Sequence, residues 1–245
     1  MPRVAGHAAV GRFRPSGPIA SFLESANASD EPVGSASMTV LAIIQQNRVY
    51  SGNGETVFTH SNTISSQNGW QLIRNNVGFS FDLADGIPAR RVITVSPAVS
   101  PAIGTIYFHW GSYNETLQIV RAMGENNTQG PFTGFTPSST RPLAVGVRAT
   151  GNDLHMSSAS VIGLIASNAQ ALTIAEMASA EASLKNDLEE GRLFDTSFLA
   201  MPYYWDARDI DYINGTWINR AGPSSTTLNI TGKLEPYEAD GMAFP

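Results

Sequence analysis

Short apolar runs separated by turn-forming residues follow one another along most of the chain, a pattern typical of β-strands. Residues 77–83 show it most clearly, because Val77, Phe79, Phe81 and Leu83 fall on one face of an extended strand. Further strands are predicted at residues 38–45, 55–59, 70–74, 90–95, 104–110, 115–122, 143–148, 154–157 and 161–166. Glycine, proline and asparagine between these runs favour tight turns, so we expect an all-β sandwich or barrel.

One segment has the 3.6-residue period of a helix instead. Thr173 and Glu176 have the spacing of a capping box, in which each side chain bonds the other residue's backbone N–H, and Gly191 favours the helix end. An apolar stripe lies between these signals and consists of Ile174, Met177, Leu184 and Leu188. The pattern predicts a helix over residues 174–190 that packs on a sheet.

The first 35 residues are rich in glycine, proline, serine and alanine and have weak apolar periodicity. We predict that residues 1–35 form an extended arm that orders against a neighbouring subunit, with Arg3, Arg12 and Arg14 as subunit contacts; a flexible terminus is the alternative. Residues 36–245 are predicted to form one β-sandwich domain, with a long polar loop over residues 124–142.

Composition excludes several classes of function. The chain has 245 residues and no cysteine, which excludes disulfides, a thiol nucleophile and a cysteine-ligated metal. The net charge of −6 and the isoelectric point of about 5.2 argue against general nucleic-acid binding. Charged residues make up only 15% of the chain, against about 25% in most soluble domains, which suits a turn-rich β protein.

Several stretches carry a family resemblance. They read Met38-Thr-Val-Leu-Ala-Ile-Ile44, Gly69-Trp-Gln-Leu72, Val77-Gly-Phe-Ser-Phe81, Pro142-Leu-Ala-Val-Gly-Val147 and Ala171-Leu-Thr-Ile-Ala-Glu-Met177. In this order they resemble the concanavalin A-like, laminin-G-like family. The resemblance implies a jelly-roll β-sandwich with a short helix near its end.

A second resemblance lies near the C-terminus. Tyr204-Trp-Asp-Ala-Arg-Asp-Ile210, Gly215-Thr-Trp-Ile-Asn-Arg-Ala-Gly222 and Thr227-Leu-Asn-Ile-Thr-Gly232 are similar to the opening of laminin-G-like modules in phage and bacterial surface proteins. Here this opening follows the closing helix. The chain is therefore either a circular permutant in which residues 200–245 complete its own sandwich, which we favour, or these residues complete a neighbour's sandwich by strand exchange.

Catalytic and metal-binding motifs are missing from the sequence. It contains no alternating carboxylates of the E-x-D-x-E type, no G-x-S-x-G, no phosphate-binding loop and no metal-binding histidine spacing. Asp206, Asp209 and Asp211 could bind Ca²⁺, but Arg208 among them favours a polar turn. We therefore predict a non-enzymatic chain with no catalytic, cofactor or metal site.

Three tryptophans, Trp70, Trp110 and Trp205, are candidates for stacking on sugar rings, although core packing is the commoner role of tryptophan in strands. The main functional prediction is a bacteriophage structural protein, in capsid decoration, a head fibre or the tail. The alternatives are a carbohydrate-binding adhesion or receptor-binding module and, third, a glycan hydrolase or lyase.

The predicted partners are other virion proteins, further copies of the chain in a homo-oligomer, and a surface glycan. Nucleic acid and membrane are not expected. The sequence shows neither a signal peptide nor an apolar stretch of membrane-spanning length, so we expect synthesis in a host cytoplasm and a final location in the virion.

Overall fold

Two large antiparallel sheets and one α-helix make up most of the described part of the computed structural model. The structure describes residues 9–12, 22–25, 37–50, 54–61, 68–76, 78–85, 90–131, 143–146, 159–200, 202–211, 213–221, 227–231 and 235–237. Strands are numbered β1 to β17 in chain order. The smaller of the two large sheets contains β3 (Met38–Gln46), β8 (Ile106–Tyr113), β9 (Gln118–Ala122), β10 (Glu125–Gln129), β12 (Ala159–Ser167) and β13 (Tyr203–Asp206).

The second large sheet has nine strands. They are β2 (Phe22–Ser25), β4 (Glu55–Ser61), β5 (Asn68–Asn75), β6 (Gly78–Asp85), β7 (Arg90–Val95), β11 (Ala144–Val145), β14 (Ile210–Asp211), β15 (Thr216–Ile218) and β16 (Thr227–Thr231). Two further strands, β1 (Ala9–Arg12) and β17 (Glu235–Tyr237), pair with each other. The predicted all-β sandwich is confirmed.

The core lies between the two large sheets and follows the period of two. On β3, Met38, Val40, Ala42 and Ile44 belong to the inner core, whereas Leu41 and Ile43 belong to a second cluster on the outer face. Because β3 is buried on both faces, its sequence is a nearly continuous apolar run.

Helix α1 (Ile174–Glu189) packs on the outer face of the six-stranded sheet and confirms the predicted helix. The Glu176 N–H donates to Thr173 Oγ1 at 3.3 Å, and the Thr173 N–H donates to Glu176 Oε2 at 2.8 Å, which is the predicted capping box. Met177, Leu184 and Leu188 are buried against the sheet, while Ile174 is half-buried at the helix start.

The predicted polar loop over residues 124–142 was partly wrong. Its first part forms β10, an edge strand whose residues Glu125–Gln129 are all exposed. An exposed edge strand has no buried face, so its sequence lacks the apolar alternation that predicts strands. Residues 132–142, like the strand predicted at 154–157, lie outside the described residues.

Both chain ends contribute strands to the sandwich. In the six-stranded sheet β13 pairs with β12, and in the nine-stranded sheet β16 pairs with β2. Within the computed chain, β2 from the predicted arm thus lies in a sheet between β16 and β11. The arm over residues 1–35 and the domain boundary at residue 36 stay predictions.

Candidate functional site

The inner face of the sandwich becomes polar at one end. On β5, Trp70, Leu72 and Arg74 alternate toward the interior; the first two lie in the core and Arg74 lies at the strand end. Arg74 Nη1 donates a hydrogen bond to Gln46 Oε1 at the end of β3. A polar contact therefore joins the two sheets where the apolar core ends.

Two opposite charges are buried at this end. Arg74 is 5% exposed, and Glu55, directly across from it in the β4–β5 register, is 4% exposed. A buried charge is stable only when another charge or hydrogen bonds compensate it. The opposite charges of Arg74 and Glu55 thus compensate each other inside the protein, and we call this pair the polar centre.

Tyr50 lies against this centre. The guanidinium of Arg74 is 4.6 Å from the centroid of the Tyr50 ring. Burial, reinforced by the negative charge of Glu55 and opposed by Arg74, raises the pKa of Tyr50 to about 12, so its hydroxyl is protonated at neutral pH. That hydroxyl is buried and is one of several buried side-chain atoms that have no hydrogen-bond partner among the described residues.

A cavity of about 130 Å³ opens beside these side chains. We call it the Arg74 pocket; it is lined by Tyr50, Arg74, Asn75, Asn76, Gly78, Phe79, Pro97, Val99, Ser100 and Pro101. Aliphatic side chains are exposed at the same end: Val49 is 76%, Val99 72% and Ile103 53% exposed. The polar side chains that line the pocket and the exposed apolar side chains at the same end make it a candidate ligand site.

Gly78 sets one wall of the pocket. Its φ is +148°, and an added Cβ would lie 2.0 Å from the Val95 carbonyl oxygen. Only glycine allows β6 to approach β7 so closely at this point. This approach places the β5–β6 turn beside the loop after β7, and the pocket lies between them.

The pocket chemistry suits a ligand rich in hydroxyl groups. Asn76, Ser100 and the Tyr50 hydroxyl are donors and acceptors in the lining, and the Tyr50 ring adds apolar surface. No lining residue that the structure describes there is a carboxylate. A glycosidase site needs two carboxylic acids flanking the substrate, so the described lining fits binding better than hydrolysis.

A second concavity, of about 310 Å³, lies at the start of α1. Its wall is largely apolar, with Leu117, Ile119 and Ile174 among the lining residues. The polar groups there bond within the chain: the Ser112 hydroxyl donates to the Leu172 carbonyl at 2.8 Å.

The three tryptophans predicted to stack on sugars are core residues. Trp70 is 1% exposed, and Trp110 and Trp205 are 0% exposed. Trp70 packs edge-on against Phe58 at 4.9 Å between ring centroids, and Trp205 lies in the same cluster. Because none of the three rings has an open face, the structure does not support glycan stacking on them.

The acidic cluster at residues 206–211 is a set of separate structural contacts. Asp206 binds Arg208 at 2.6 Å, Asp209 pairs with Arg220, and Asp211 accepts the Ile213 and Asn214 N–H groups at 2.9 Å. Burial raises the pKa of Asp206, but hydrogen bonds from Arg208 and Tyr204 outweigh it and hold that pKa below its usual value. Among described residues, no group of three potential ligands is placed to hold a metal.

The predicted subunit contacts are only partly within the structure. Arg12 is the last residue of β1, and its backbone lies opposite Glu235 of β17. Arg3 and Arg14 lie outside the described residues. Of the helices described, none combines the length and the apolar character needed to span a bilayer.

Sequence reasoning did not identify the Arg74 pocket. The available signal was Arg74 itself, because it continues the inward-facing series Trp70–Leu72 with a charged side chain. A charged residue at an inward-facing strand position indicates either a buried ion pair or a ligand-binding site at the end of the strand. Tyr50 and Asn76 gave no such signal, because they lie in turns without periodicity.

Comparison with known proteins gives structural matches only. No protein-family model matches the chain, and no curated protein sequence matches it significantly. A protein from Bacteroides ovatus proposed to bind carbohydrate superposes with a TM-score of 0.55 and 14% identity, over 96% of this chain and 62% of that one. A mutant of the NanB sialidase from Streptococcus pneumoniae superposes with a TM-score of 0.50 and 10% identity, over 70% of this chain and 27% of the sialidase.

Domains LG4–5 of the mouse laminin α1 chain also align, with a TM-score of 0.46 and 12% identity, over 67% of this chain and 42% of that one. The chain therefore spans less than two thirds of the length of each of these three proteins. Identities this low bear on the fold alone. With its two large antiparallel sheets and a helix packed on one of them, the chain has a jelly-roll β-sandwich fold, which it shares with the Bacteroides ovatus protein.

Proposed function

We propose that this chain is a non-enzymatic carbohydrate-binding protein whose ligand occupies the Arg74 pocket. The observation that carries the proposal is the buried Tyr50 hydroxyl, which lacks a partner among described residues and lies beside Arg74 at a pocket with an apolar rim. A sugar hydroxyl would satisfy this group, and the apolar face of a sugar ring would cover the exposed aliphatic side chains.

The Bacteroides ovatus protein supports the proposal at the level of fold. Its alignment covers nearly the whole of this chain, and carbohydrate binding is the activity proposed for it. Sandwich folds also host other functions, so the pocket rather than the fold carries the assignment.

The absence of catalysis is part of the proposal. Hydrolysis of a glycosidic bond needs an acid and a second carboxylate about 5–9 Å apart. Two described carboxylates lie near the pocket: Glu55 faces Arg74 across the β4–β5 register and is 4% exposed, and Glu125 Oε1 accepts the Ala98 N–H at 3.4 Å. Neither of them lines the pocket. A hydrolase or lyase reading therefore has less support than binding.

A role as a virion structural protein is the second candidate. One observation favours it: the exposed edge strand β10, which offers backbone groups for assembly. In that case the partners would be other virion proteins and further copies of the chain, located in a phage capsid or tail. A glycan-binding pocket is compatible with such a location.

A glycan array followed by calorimetry tests the main proposal. We expect the full chain to bind at least one glycan, and Tyr50→Phe and Asn76→Ala each to weaken binding about tenfold, the effect of one lost hydrogen bond. Asn186→Ala, which removes an exposed asparagine on α1, is the matched control and should leave the affinity unchanged. Binding to no glycan, or equal affinities for all variants, would contradict the proposal; new reducing ends would indicate a hydrolase.

A further inference from the structure

Among the described residues, no strand pairs with the outer side of β10, the last strand of the six-stranded sheet, although the Asn127 side chain of β10 contacts β7. The five residues of β10, Glu125–Gln129, are all exposed, and they pair with β9 in an uninterrupted antiparallel register. The strands at the other ends of the two large sheets are short or partly covered. On β13 the Tyr204 carbonyl accepts the Arg220 N–H at 2.7 Å, β14 has two residues, and on β7 the Thr94 carbonyl accepts Asn127 Nδ2 at 2.8 Å.

The β9–β10 turn determines which backbone groups of β10 face outward. Met123 and Gly124 form a two-residue turn with φ values of 53° and 84°, so Ala122 and Glu125 are a hydrogen-bonded pair. In an antiparallel ladder, hydrogen-bonded and non-hydrogen-bonded pairs alternate. The N–H and C=O groups of Asn126 and Thr128 therefore point away from β9, toward the open edge.

We propose that a second copy of this chain pairs with β10 in antiparallel orientation, around a two-fold axis at Asn127. In this register Asn126 of each copy faces Thr128 of the other, and the outward backbone groups form four hydrogen bonds. Glu125 faces Gln129, so no like charges meet. The Thr128 N–H, which donates to Asn127 Oδ1 at 2.8 Å in the single chain, exchanges that bond for the carbonyl of Asn126 in the other copy.

The edge carries few of the devices that prevent such pairing. Lysine, proline and β-bulges protect many natural sheet edges, and β10 contains none of them. The strand ends at Gly130–Pro131, which limits the paired segment to about five residues on each chain. An interface of this size is below the standard size for stable complexes, so we expect a weak dimer that forms at high concentration.

Disulfide trapping tests the register directly, because the natural chain has no cysteine. The central Asn127 pair is non-hydrogen-bonded, with Cα atoms about 4.5 Å apart, which a disulfide can bridge. Asn127→Cys should therefore form a covalent dimer under mild oxidation. The matched control is Asn126→Cys, because its two copies lie diagonally across the interface with Cα atoms more than about 7 Å apart, beyond disulfide reach.

We expect Asn127→Cys to cross-link at least about tenfold faster than Asn126→Cys on a non-reducing gel at equal protein concentration. Equal rates, a faster reaction of Asn126→Cys, or no covalent dimer from Asn127→Cys would overturn the proposal.

Sedimentation across a concentration series provides a second measurement on a chain without cysteine. Thr128→Pro removes an outward N–H and hence two of the four hydrogen bonds, which should weaken association about thirtyfold. Thr128→Ala keeps the N–H and should associate like the natural chain. Circular dichroism verifies that both variants fold. Equal association of the two variants would overturn the proposal.

Discussion

Single inward-facing polar residues set much of the chemistry of this molecule. His109 is an example: it lies on the inner face of β8, is 0% exposed, and packs edge-on against Phe79 at 5.4 Å between ring centroids. Burial lowers the pKa of His109 to about 3, and the nearby charge of Arg74 acts in the same direction. The imidazole is therefore neutral in the folded protein across the physiological range.

This shift predicts acid sensitivity. An unfolded histidine binds a proton below a pH of about 6.5, whereas folded His109 binds one only near its lowered pKa of about 3. The unfolded state thus holds more protons between these values, and stability falls by about 1.4 kcal/mol per pH unit as the pH drops through the window. Urea unfolding at several pH values from 7 to 4 measures how steeply the free energy of unfolding falls with pH. For His109→Gln this fall should be smaller, by the slope that corresponds to about one proton. Parallel curves for the variant and the natural chain would contradict the prediction.

Asp206 shows how one carboxylate stabilises the C-terminal segment. Its side chain is 0% exposed and accepts Arg208 Nε at 2.8 Å and Arg208 Nη2 at 2.6 Å, and its backbone carbonyl accepts the Trp217 indole N–H at 2.5 Å. The two hydrogen bonds from Arg208 to the Asp206 carboxylate form a bidentate contact, the strong form of the arginine–carboxylate interaction.

Asp206→Asn should lower the free energy of unfolding by about 3–5 kcal/mol, because it leaves Arg208 without its charge partner in a partly buried position. Asp209→Asn is the matched control: its partner Arg220 is 35% exposed, and the loss should be below about 1 kcal/mol. Chemical denaturation at neutral pH measures both values. A loss of similar size in the two variants would show that Asp206 is no more than a surface contact.

At the scale of elements, the chain ends determine how the sheets close. Strand β2 lies between β16 and β11 in the nine-stranded sheet, so β14, β15 and β16 attach to the rest of that sheet through β2. A four-residue strand near the N-terminus therefore connects β14, β15 and β16 to the rest of the nine-stranded sheet.

Removal of residues 1–35 should destabilise the whole sandwich, because it exposes the backbone edges of both β16 and β11. We expect the truncated chain to unfold at a clearly lower urea concentration than the full chain. An arm that serves only in subunit contacts predicts a different result: unchanged urea stability of the monomer and a lower solution mass. Denaturation and light scattering on the same samples separate the two.

Several elements with a buried face could be predicted from the sequence, whereas the exposed strand β10 and the buried strand β13 were missed. Strands β3, β5 and β6 and helix α1 each place apolar residues at the period of their own backbone, and the capping box marks the start of α1. Strand β10 has five polar residues and was predicted as loop, because its pairing depends on β9 rather than on burial.

For the whole molecule, the fold could be predicted but the pocket could not. The order of strands and the closing helix resemble one family, and the two antiparallel sheets agree with it. The Arg74 pocket joins residues from β5, the turn before β4 and the loop after β7, which are separated by up to about 50 positions in the chain. Only tertiary packing brings Tyr50, Asn76 and Ser100 together, and the hydrophobic periodicity of the sequence gives no sign that these residues are close in space.

An amide-resolved NMR titration would locate the carbohydrate site on the molecule. The ¹⁵N-labelled chain would be titrated with the glycan that binds best on the array. If carbohydrate binds at the Arg74 pocket, shift changes concentrate at Tyr50, Asn76 and Ser100, and the groove at the start of α1 is unchanged. Changes confined to that groove, or none at saturating glycan, would contradict carbohydrate binding at the Arg74 pocket.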